Sequence, residues 1–209
     1  MRLCAFSISI ERGGRRLFEE LSFEIDAGCA LIVMGPNGSG KSSLLRAIAG
    51  LLPLAAGAIE LQGGASDASV GEQAHYFGHF DALKGMLTAA ENLRFWAASL
   101  AGSAWGSALS VASALERVGL SHVADLPVHA LSAGQKRRVA LAGRLVAARP
   151  LWLLDEPLSA LDAGAQERLG EIMRDHLSAG GLIVAATHAP LGLTGAETIQ
   201  LGASALAPA

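Results

Sequence analysis

The stretch GPNGSGKS, residues 35–42, decides the fold of this chain. It is a full match to G-x-x-x-x-G-K-[ST], a loop whose glycines let successive backbone N–H groups turn inward around a phosphate. The apolar run ALIVM precedes the loop and the periodic run SLLRAIAG follows it. The loop therefore joins a predicted strand to a predicted helix, whose N-terminal dipole also attracts an anion. This context favours a phosphate-binding turn over a glycine-rich turn that has no ligand.

The residues of this loop have separate expected tasks. Lys41 supplies a point charge to the β- and γ-phosphates of a nucleotide, and the Ser42 hydroxyl ligates Mg²⁺. The backbone of the loop surrounds the phosphates. The residues expected to bind the nucleotide here are Gly35, Pro36, Asn37, Gly38, Ser39, Gly40, Lys41, Ser42 and Ser43.

Two adjacent carboxylates close the apolar run in LWLLDE, residues 151–156. Ligands in open α/β sheets bind at the carboxyl ends of the strands. Asp155 is placed to hold Mg²⁺, directly or through water, and Glu156 to act on the attacking water as its base or orienter. A helix N-cap followed by a turn at Pro157 is the alternative explanation of this triplet. The presence of Lys41 in the same chain favours the catalytic interpretation.

The segment LSAGQ, residues 131–135, begins a further predicted helix. Its serine and glycine lie at a helix N-terminus, which is a second anion-binding site. A nucleotide whose phosphates are held by the glycine-rich loop cannot obviously use this second site within the same domain. A site completed by another copy of the chain is one consequence. The basic run Lys136, Arg137 and Arg138 follows. It is interpreted as a solvated face on an exposed turn, in preference to a nucleic-acid contact.

The pattern of apolar residues predicts an α/β fold with a mainly parallel sheet. Residues 7–10 and 17–25 form an antiparallel hairpin around Gly13 and Gly14, because the second run alternates apolar and polar. The runs ALIVM, LWLL and LIVAA are continuously apolar, as in strands covered on both faces. Residues 89–118, rich in Ala, Ser and Leu, predict two helices with a break near residues 102–106.

These elements divide the single expected domain, residues 1–209, into parts. Residues 1–80 and 131–200 form the nucleotide-binding core, and residues 81–130 an inserted helical subdomain. Residues 201–209 are interpreted as a frayed tail.

The stretch HYFGHF, residues 75–80, sets two histidines four residues apart. On a helix they would share a face, as in some zinc sites, but Gly78 and the aromatic residues favour a short strand. No third ligand with metal-binding spacing lies nearby, so a metal site is disfavoured.

Composition excludes several classes of protein. The net charge is −3 and the pI about 6.1, so nucleic acid is not expected as a partner. Hydrophobic residues make up 51%, which suggests a large interface, with high alanine content as the other explanation. Residues 97–115 and 177–196 carry no formal charge, yet they lack the aliphatic content of a membrane span. Cys4 and Cys29 fit a reducing cytoplasm better than a disulfide scaffold.

The motifs GPNGSGKS, LSAGQ, LLDEP, SALD and ATH stand in the order found in ABC-type ATPase domains, which the chain resembles over nearly its whole length. The resemblance implies a head-to-tail dimer with two ATP molecules between the subunits. Ser132, Gly134 and Gln135 would then bind the nucleotide of the opposite subunit. Asp162 would lie at the dimer seam, and His188 would contact the γ-phosphate.

Some positions depart from the usual pattern of that family. His79 stands where a glutamine usually contacts Mg²⁺ and the water, and Arg12 replaces the aromatic residue that usually stacks on adenine. Arg12 can stack through its guanidinium plane or form a surface salt bridge, and both alternatives stay open. Ser43 stands where threonine is usual. Together with LSAGQKRRVALA and the short length, these features resemble the ATPase subunit of the cytochrome c maturation ABC system.

That resemblance implies an ATPase peripheral to the cytoplasmic face of the bacterial inner membrane, docked on a membrane-embedded permease subunit. Its ATP cycle would serve haem export, or release of a haem-loaded chaperone. Three competing functions are an exporter subunit for another substrate, a soluble ABC ATPase acting on nucleic acid or ribosomes, and a small-molecule kinase. The second expects a coiled coil or basic arm, which the sequence lacks, and the third leaves LSAGQ and His188 unexplained.

Overall fold

The computed structural model describes residues 1–78, 80–100 and 105–202, which form strands in two sheets and helices on both sides of one of them. The strands are β1 Arg2–Arg12, β2 Arg15–Asp26, β3 Ala30–Met34, β4 Ala56–Gln62, β5 Ala74–Phe77, β6 Leu151–Asp155, β7 Leu182–Ala186 and β8 Glu197–Gln200. The helices are α1 Lys41–Ile48, α2 Ala89–Ser99, α3 Val111–Arg117, α4 Ala133–Leu145 and α5 Ala163–Ser178.

A parallel sheet with the order β5-β6-β7-β3-β8 forms the centre of the molecule. The continuously apolar runs are its inner strands β6, β7 and β3, as the sequence predicted. Every residue of β6 and β7 is buried. The stretch that begins with His75 forms the edge strand β5, which confirms the extended interpretation of residues 75–77.

Two hydrophobic clusters cover the two faces of this sheet. Trp152 and Leu154 of β6 pack with helices α2 to α5 on one face, whereas Leu151 and Leu153 pack with α1 and the N-terminal strands on the other. Alternate side chains of one strand point to opposite faces, so a strand buried on both faces must be apolar throughout. This explains why these strands could be recognised from short apolar runs.

The N-terminal strands form a separate antiparallel sheet with the order β2-β1-β4. The predicted hairpin is present, and Gly13 and Gly14 both have positive φ, 59° and 72°, in the tight turn between Arg12 and Arg15. Strand β4 was not predicted. Its residues are exposed or half-buried at the edge of this sheet, so AGAIELQ carries little hydrophobic signal.

Helices α2 and α3 occupy the segment for which two helices were predicted. Thr88 caps α2 in a reciprocal pair with Glu91, which fixes where the helix begins. Helix α2 ends at Ser99, and the Ser110 side chain caps the start of α3. Residues 101–104, on which part of the predicted break falls, lie outside the described part of the chain.

The segment that follows β8 corrects the prediction of a frayed tail from residue 201. The Leu201 side chain is buried against the second hydrophobic cluster, and its backbone N–H donates to the Met34 carbonyl at 2.8 Å. Strand β8 itself was not predicted, because its four residues are exposed or half-buried at the sheet edge. Residues 203–209 lie outside the described part of the chain.

No helix within the described residues is both long and apolar enough to cross a membrane.

Candidate active site

The glycine-rich loop leaves β3 and enters α1 in a conformation that only glycine adopts readily. Gly35 has φ 144° and Gly40 has φ 103°. A Cβ at Gly35 would collide with the Leu201 carbonyl oxygen, and one at Gly40 would lie 3.2 Å from the Phe18 ring. The loop therefore depends on the absence of side chains at these two positions.

Lys41 is the first residue of α1, and its side chain is buried inside the loop. Its Nζ donates to the carbonyl oxygens of Gly35 at 2.7 Å and Pro36 at 3.1 Å. No carboxylate among the described residues forms an ion pair with it. The ammonium charge is thus solvated by backbone dipoles and stays available to an anion.

Asp155 ends strand β6 next to the start of α1. Its Oδ1 accepts from the Ser42 hydroxyl at 3.0 Å, so the two residues proposed as magnesium ligands are in contact. Its Oδ2 accepts from the Tyr76 hydroxyl at 3.3 Å, and Tyr76 in turn accepts from Arg46 Nε at 3.3 Å. Burial raises the pKa of Tyr76, which keeps the hydroxyl protonated as a donor. The sequence analysis did not identify Tyr76 or Arg46.

Glu156 follows in a left-handed conformation, with φ 47°. A non-glycine residue with this φ costs energy and is held there only by its surroundings. The Glu156 N–H donates to the Ala186 carbonyl at 2.9 Å. The carboxylate Oε1 lies 3.7 Å from His188 Nε2, and both side chains are partly exposed. Glu156 and His188, predicted as catalytic residues, are therefore neighbours at the ends of β6 and β7.

The interpretation of Lys136, Arg137 and Arg138 as an exposed turn is wrong for Arg137. Arg137 lies on α4 with 3% of its surface exposed, and its guanidinium stacks 3.8 Å from the Phe77 ring centroid. It donates to the Glu156 carbonyl at 3.2 Å and the Asp155 carbonyl at 3.4 Å. It also donates to the Gly78 carbonyl at 2.6 Å and pairs with Asp81 at 3.1 Å.

This arginine thereby joins three segments around the strained Glu156 backbone. Helix α4, the end of β6 and the segment after β5 all meet at its guanidinium. Five N–H donors in a planar fork allow one side chain to hold several acceptors. We assign Arg137 a positioning role, because it contacts the backbone of Glu156 and not its carboxylate.

A cavity of about 300 Å³ lies over the loop. Arg12 lines it together with Asp155, Glu156 and several loop residues, and Leu17 of β2 lines it although the sequence analysis did not select it. The lining suits the phosphates of a nucleoside triphosphate, because Lys41 has no acidic partner among the described residues and its ammonium group can donate to a phosphate.

The LSAGQ segment does not line this cavity. Ser132 caps α4 and forms a reciprocal pair with Gln135, in which each accepts from the backbone N–H of the other. Gly134 approaches the Ala160 carbonyl so closely that a Cβ would lie 3.1 Å from that oxygen. Asp162 caps α5 by accepting from the Ala165 N–H at 2.8 Å. Within one chain these residues lie apart from the phosphate loop.

Of the two histidines in HYFGHF, the described part of the chain includes His75 but not His79. His75 is buried, its Nε2 lies 2.5 Å from the Ala147 carbonyl, and burial lowers its pKa well below the usual value. The side chain is therefore a neutral donor to a backbone carbonyl. His79, expected at the position of the family glutamine, lies outside the described residues. No group of three or more His, Cys, Asp or Glu side chains suited to a metal occurs in the described ranges.

Comparison with known proteins agrees with this geometry. The ABC transporter family model matches residues 18–159. The cytochrome c biogenesis ATP-binding export protein CcmA of Rhodopseudomonas palustris is 54% identical, over 93% of this chain and 94% of the relative. The protein of the same description from Bradyrhizobium diazoefficiens is 51% identical, over 94% and 96%.

The chain belongs to the CcmA family of ABC transporter ATP-binding proteins. The chain is therefore an ATP-hydrolysing transporter subunit. A putative ABC transporter ATP-binding protein from Pyrococcus furiosus has the same fold, with a TM-score of 0.80 at 20% identity over 96% of this chain and 98% of that one.

Proposed function

We propose that the chain hydrolyses ATP as one of two identical subunits and thereby drives a membrane complex of c-type cytochrome biogenesis. One observation carries this proposal. The phosphate loop, the Asp155–Glu156 pair and His188 lie at one edge of one sheet, around a single cavity or in contact with it. The names of the CcmA relatives, which describe ATP-binding export proteins of cytochrome c biogenesis, support the cellular role.

Ser42 and Asp155 would hold Mg²⁺. Their oxygens already lie 3.0 Å apart, and hydroxyl and carboxylate oxygens suit a hard cation. When bound there, Mg²⁺ would supply positive charge that stabilises the phosphates during transfer. Lys41 would leave the Gly35 and Pro36 carbonyls and donate to the β- and γ-phosphates.

Glu156 would orient and deprotonate the attacking water. Its carboxylate is partly exposed and faces the cavity, where an in-line water can reach it. His188, 3.7 Å from that carboxylate, would donate to the γ-phosphate and hold the water in line. Arg137 would keep the Glu156 backbone in its left-handed conformation, so that the carboxylate stays aimed at the cavity.

The nucleotide site would be completed by a second copy of the chain. Ser132, Gly134 and Gln135 lie at the N-terminus of α4, away from the cavity of their own chain. A helix N-terminus attracts phosphate, so these residues would bind the nucleotide of the opposite subunit. Asp162 would lie at the seam between the copies. Arg12 would pack against adenine, because it lines the same cavity.

The partner in the membrane would be a permease subunit, docked through the inserted helical subdomain, residues 81–130. Large apolar side chains are exposed along this segment and just before it, among them Phe80 at 85% and Met86 at 83%. Such residues are typical of protein interfaces. We place the chain at the cytoplasmic face of the inner membrane, with haem or a haem-loaded chaperone as the species handled. His79 would transmit the nucleotide state to this partner.

Substitution of Glu156 by Gln tests the hydrolytic part of the proposal. We expect Glu156→Gln to bind ATP with nearly unchanged affinity, to release phosphate roughly 10²–10³ times more slowly, and to accumulate as an ATP-bound dimer. Glu24→Gln is the matched control, since Glu24 is exposed and pairs with Arg2 outside the cavity. Wild-type turnover in Glu156→Gln would refute the role of Glu156. A phosphorylated small molecule in place of free phosphate would identify a kinase.

A further inference from the structure

A second cavity, of about 370 Å³, lies beside the C-terminal end of α4. Its wall is mostly apolar and is formed by α5, the end of α4, Trp152 of β6 and residues 105–109 before α3. It shares no lining residue with the cavity over the phosphate loop. Its volume falls at the lower end of the range of roughly 300–1,000 Å³ that is typical of small-molecule sites.

Arg144 borders this cavity with a buried charge for which the described residues provide no counterion. Only 9% of its surface is exposed, and within the described chain it forms no ion pair and its Nε has no hydrogen-bond partner. Its guanidinium lies 5.7 Å from the Phe77 ring and 6.0 Å from the Trp96 ring. Burial lowers the pKa of Arg144 to about 10, so the group is charged at neutral pH. An unpaired buried charge is costly unless an anion accompanies it.

Two other residues of the wall have buried N–H groups without a partner. Trp152 is 3% exposed and its Nε1 has no partner among the described residues, and Arg149 Nε is likewise unpaired. Asp175, the one carboxylate among the described residues of the wall, already pairs with Arg117. Arg144 and Arg149 therefore place positive charge beside the cavity, and no unpaired acidic group of the described wall neutralises it.

Flat rings form part of the same wall. The His176 ring stacks on Trp152 with centroids 4.1 Å apart and planes inclined by 17°, and Trp105 meets it edge-on at 5.2 Å. Because Leu182 offers a carbonyl oxygen 3.3 Å from His176 Nε2, that nitrogen carries the proton and donates to it. A neutral, stacked aromatic surface suits the face or edge of a planar ring.

We propose that this cavity binds a small planar aromatic acid, whose carboxylate accepts hydrogen bonds from the Arg144 side of the cavity while its ring packs against Trp105 and Leu145. The ligand supplies the anion that Arg144 lacks and the apolar surface that the wall would otherwise expose to water. The site is separate from the nucleotide cavity and does not depend on the function proposed above.

A matched pair of probes tests the requirement for charge on the unaltered protein. Isothermal titration of the full chain with 2-naphthoate is expected to show saturable binding of one molecule per chain. The uncharged 2-naphthamide, with the same ring, should bind at least about ten-fold more weakly, since charge-assisted hydrogen bonds are about twice as strong as neutral ones. Equal affinity for acid and amide, or no saturable binding of the acid, would overturn the proposal.

Two variants on one helix locate the site. Arg144→Met should lower the affinity for 2-naphthoate at least about ten-fold and leave that for 2-naphthamide unchanged. Arg138→Met is the control, because Arg138 donates to the Val118 and Gly119 carbonyls outside the cavity, and it should bind the acid as wild type does. The melting temperature of ligand-free Arg144→Met should equal or exceed that of wild type. A large fall would show that Arg144 is already satisfied by the protein, which would contradict the proposal.

Discussion

Helix α4 carries two buried arginines in opposite circumstances. Arg137 and Arg144 lie seven residues apart, both next to the Phe77 ring, with 3% and 9% of their surfaces exposed. Arg137 reaches three backbone carbonyls and the Asp81 carboxylate, whereas Arg144 forms no such bond within the described residues. Arg137 holds the backbone beside the candidate nucleotide site, and Arg144 borders a separate cavity.

Arg137 and Arg144 are both buried but differ in their partners, so burial alone does not reveal the role of a charged side chain. Removing a partner from a satisfied network leaves other buried groups unpaired, whereas removing an unpaired charge relieves a penalty. The two ends of α4 should therefore respond to the same substitution with opposite signs. The following predictions test that difference, from the largest expected effect to the smallest.

Arg137→Met is expected to lower the free energy of unfolding by about 3–5 kcal/mol, because it leaves Asp81 and the carbonyls of Gly78 and Glu156 without their donor. ATP turnover should fall while the KM for ATP changes little, since Arg137 does not line the nucleotide cavity. Urea unfolding and steady-state phosphate release measure the two effects. Arg144→Met, measured beside it, should lose no stability, and equal losses in both variants would remove the distinction between the two arginines.

The free energy of unfolding should fall at acid pH because of His176, which lines the same cavity as Arg144. Burial lowers the pKa of His176 to about 4 from 6.5, so between these values the unfolded chain binds a proton that the folded chain does not. Stability from this group is complete above pH 6.5 and falls as the pH drops towards 4, by about 3 kcal/mol in total.

Urea unfolding between neutral pH and about pH 4.5 tests this assignment. His176→Phe keeps a ring against Trp152 but cannot be protonated, so its stability should fall less steeply with acid. The buried His75 will leave a residual slope in both proteins, because burial lowers its pKa as well. Identical slopes in wild type and His176→Phe would contradict the assignment.

Tyr76→Phe should have the smallest effect, on the nucleotide side. It removes one hydrogen bond to Asp155 and one from Arg46, which predicts a loss of about 1 kcal/mol in stability. Asp155 keeps its contact with Ser42, so turnover at saturating Mg²⁺ should stay near wild type while more Mg²⁺ is needed to reach it. An unchanged Mg²⁺ dependence would show that Tyr76 does not position Asp155.

The sequence was sufficient for those parts of the site whose chemistry is local in the chain. The phosphate loop could be predicted with its strand and helix because its glycines, Lys41 and Ser42 lie within eight residues. The inner strands were recognisable because burial on both faces requires continuous apolar runs. The edge strands β4 and β8 escaped notice, because exposed residues leave no such pattern.

Contacts between residues that are far apart in the chain could not be predicted from the sequence. Arg137 bonds to Gly78, 59 positions away, and Tyr76 to Asp155, 79 positions away. The acceptors of Arg137 are mostly backbone carbonyls, which carry no signature in the sequence. A basic triplet therefore looked like a solvated surface until helix α4 was seen packed over Phe77.

The central claim is that ATP bound at this phosphate loop drives maturation of c-type cytochromes. The most direct test is the haem-stained c-type cytochrome content of cells whose only copy of the gene carries Lys41→Ala. Arg2→Ala serves as the control, since it removes an exposed cation paired with Glu24 and Asp26 outside the cavity. We predict loss of mature c-type cytochromes in Lys41→Ala while other haem proteins persist. Unchanged c-type cytochromes in that strain would contradict the claim and assign this ATPase to another transporter.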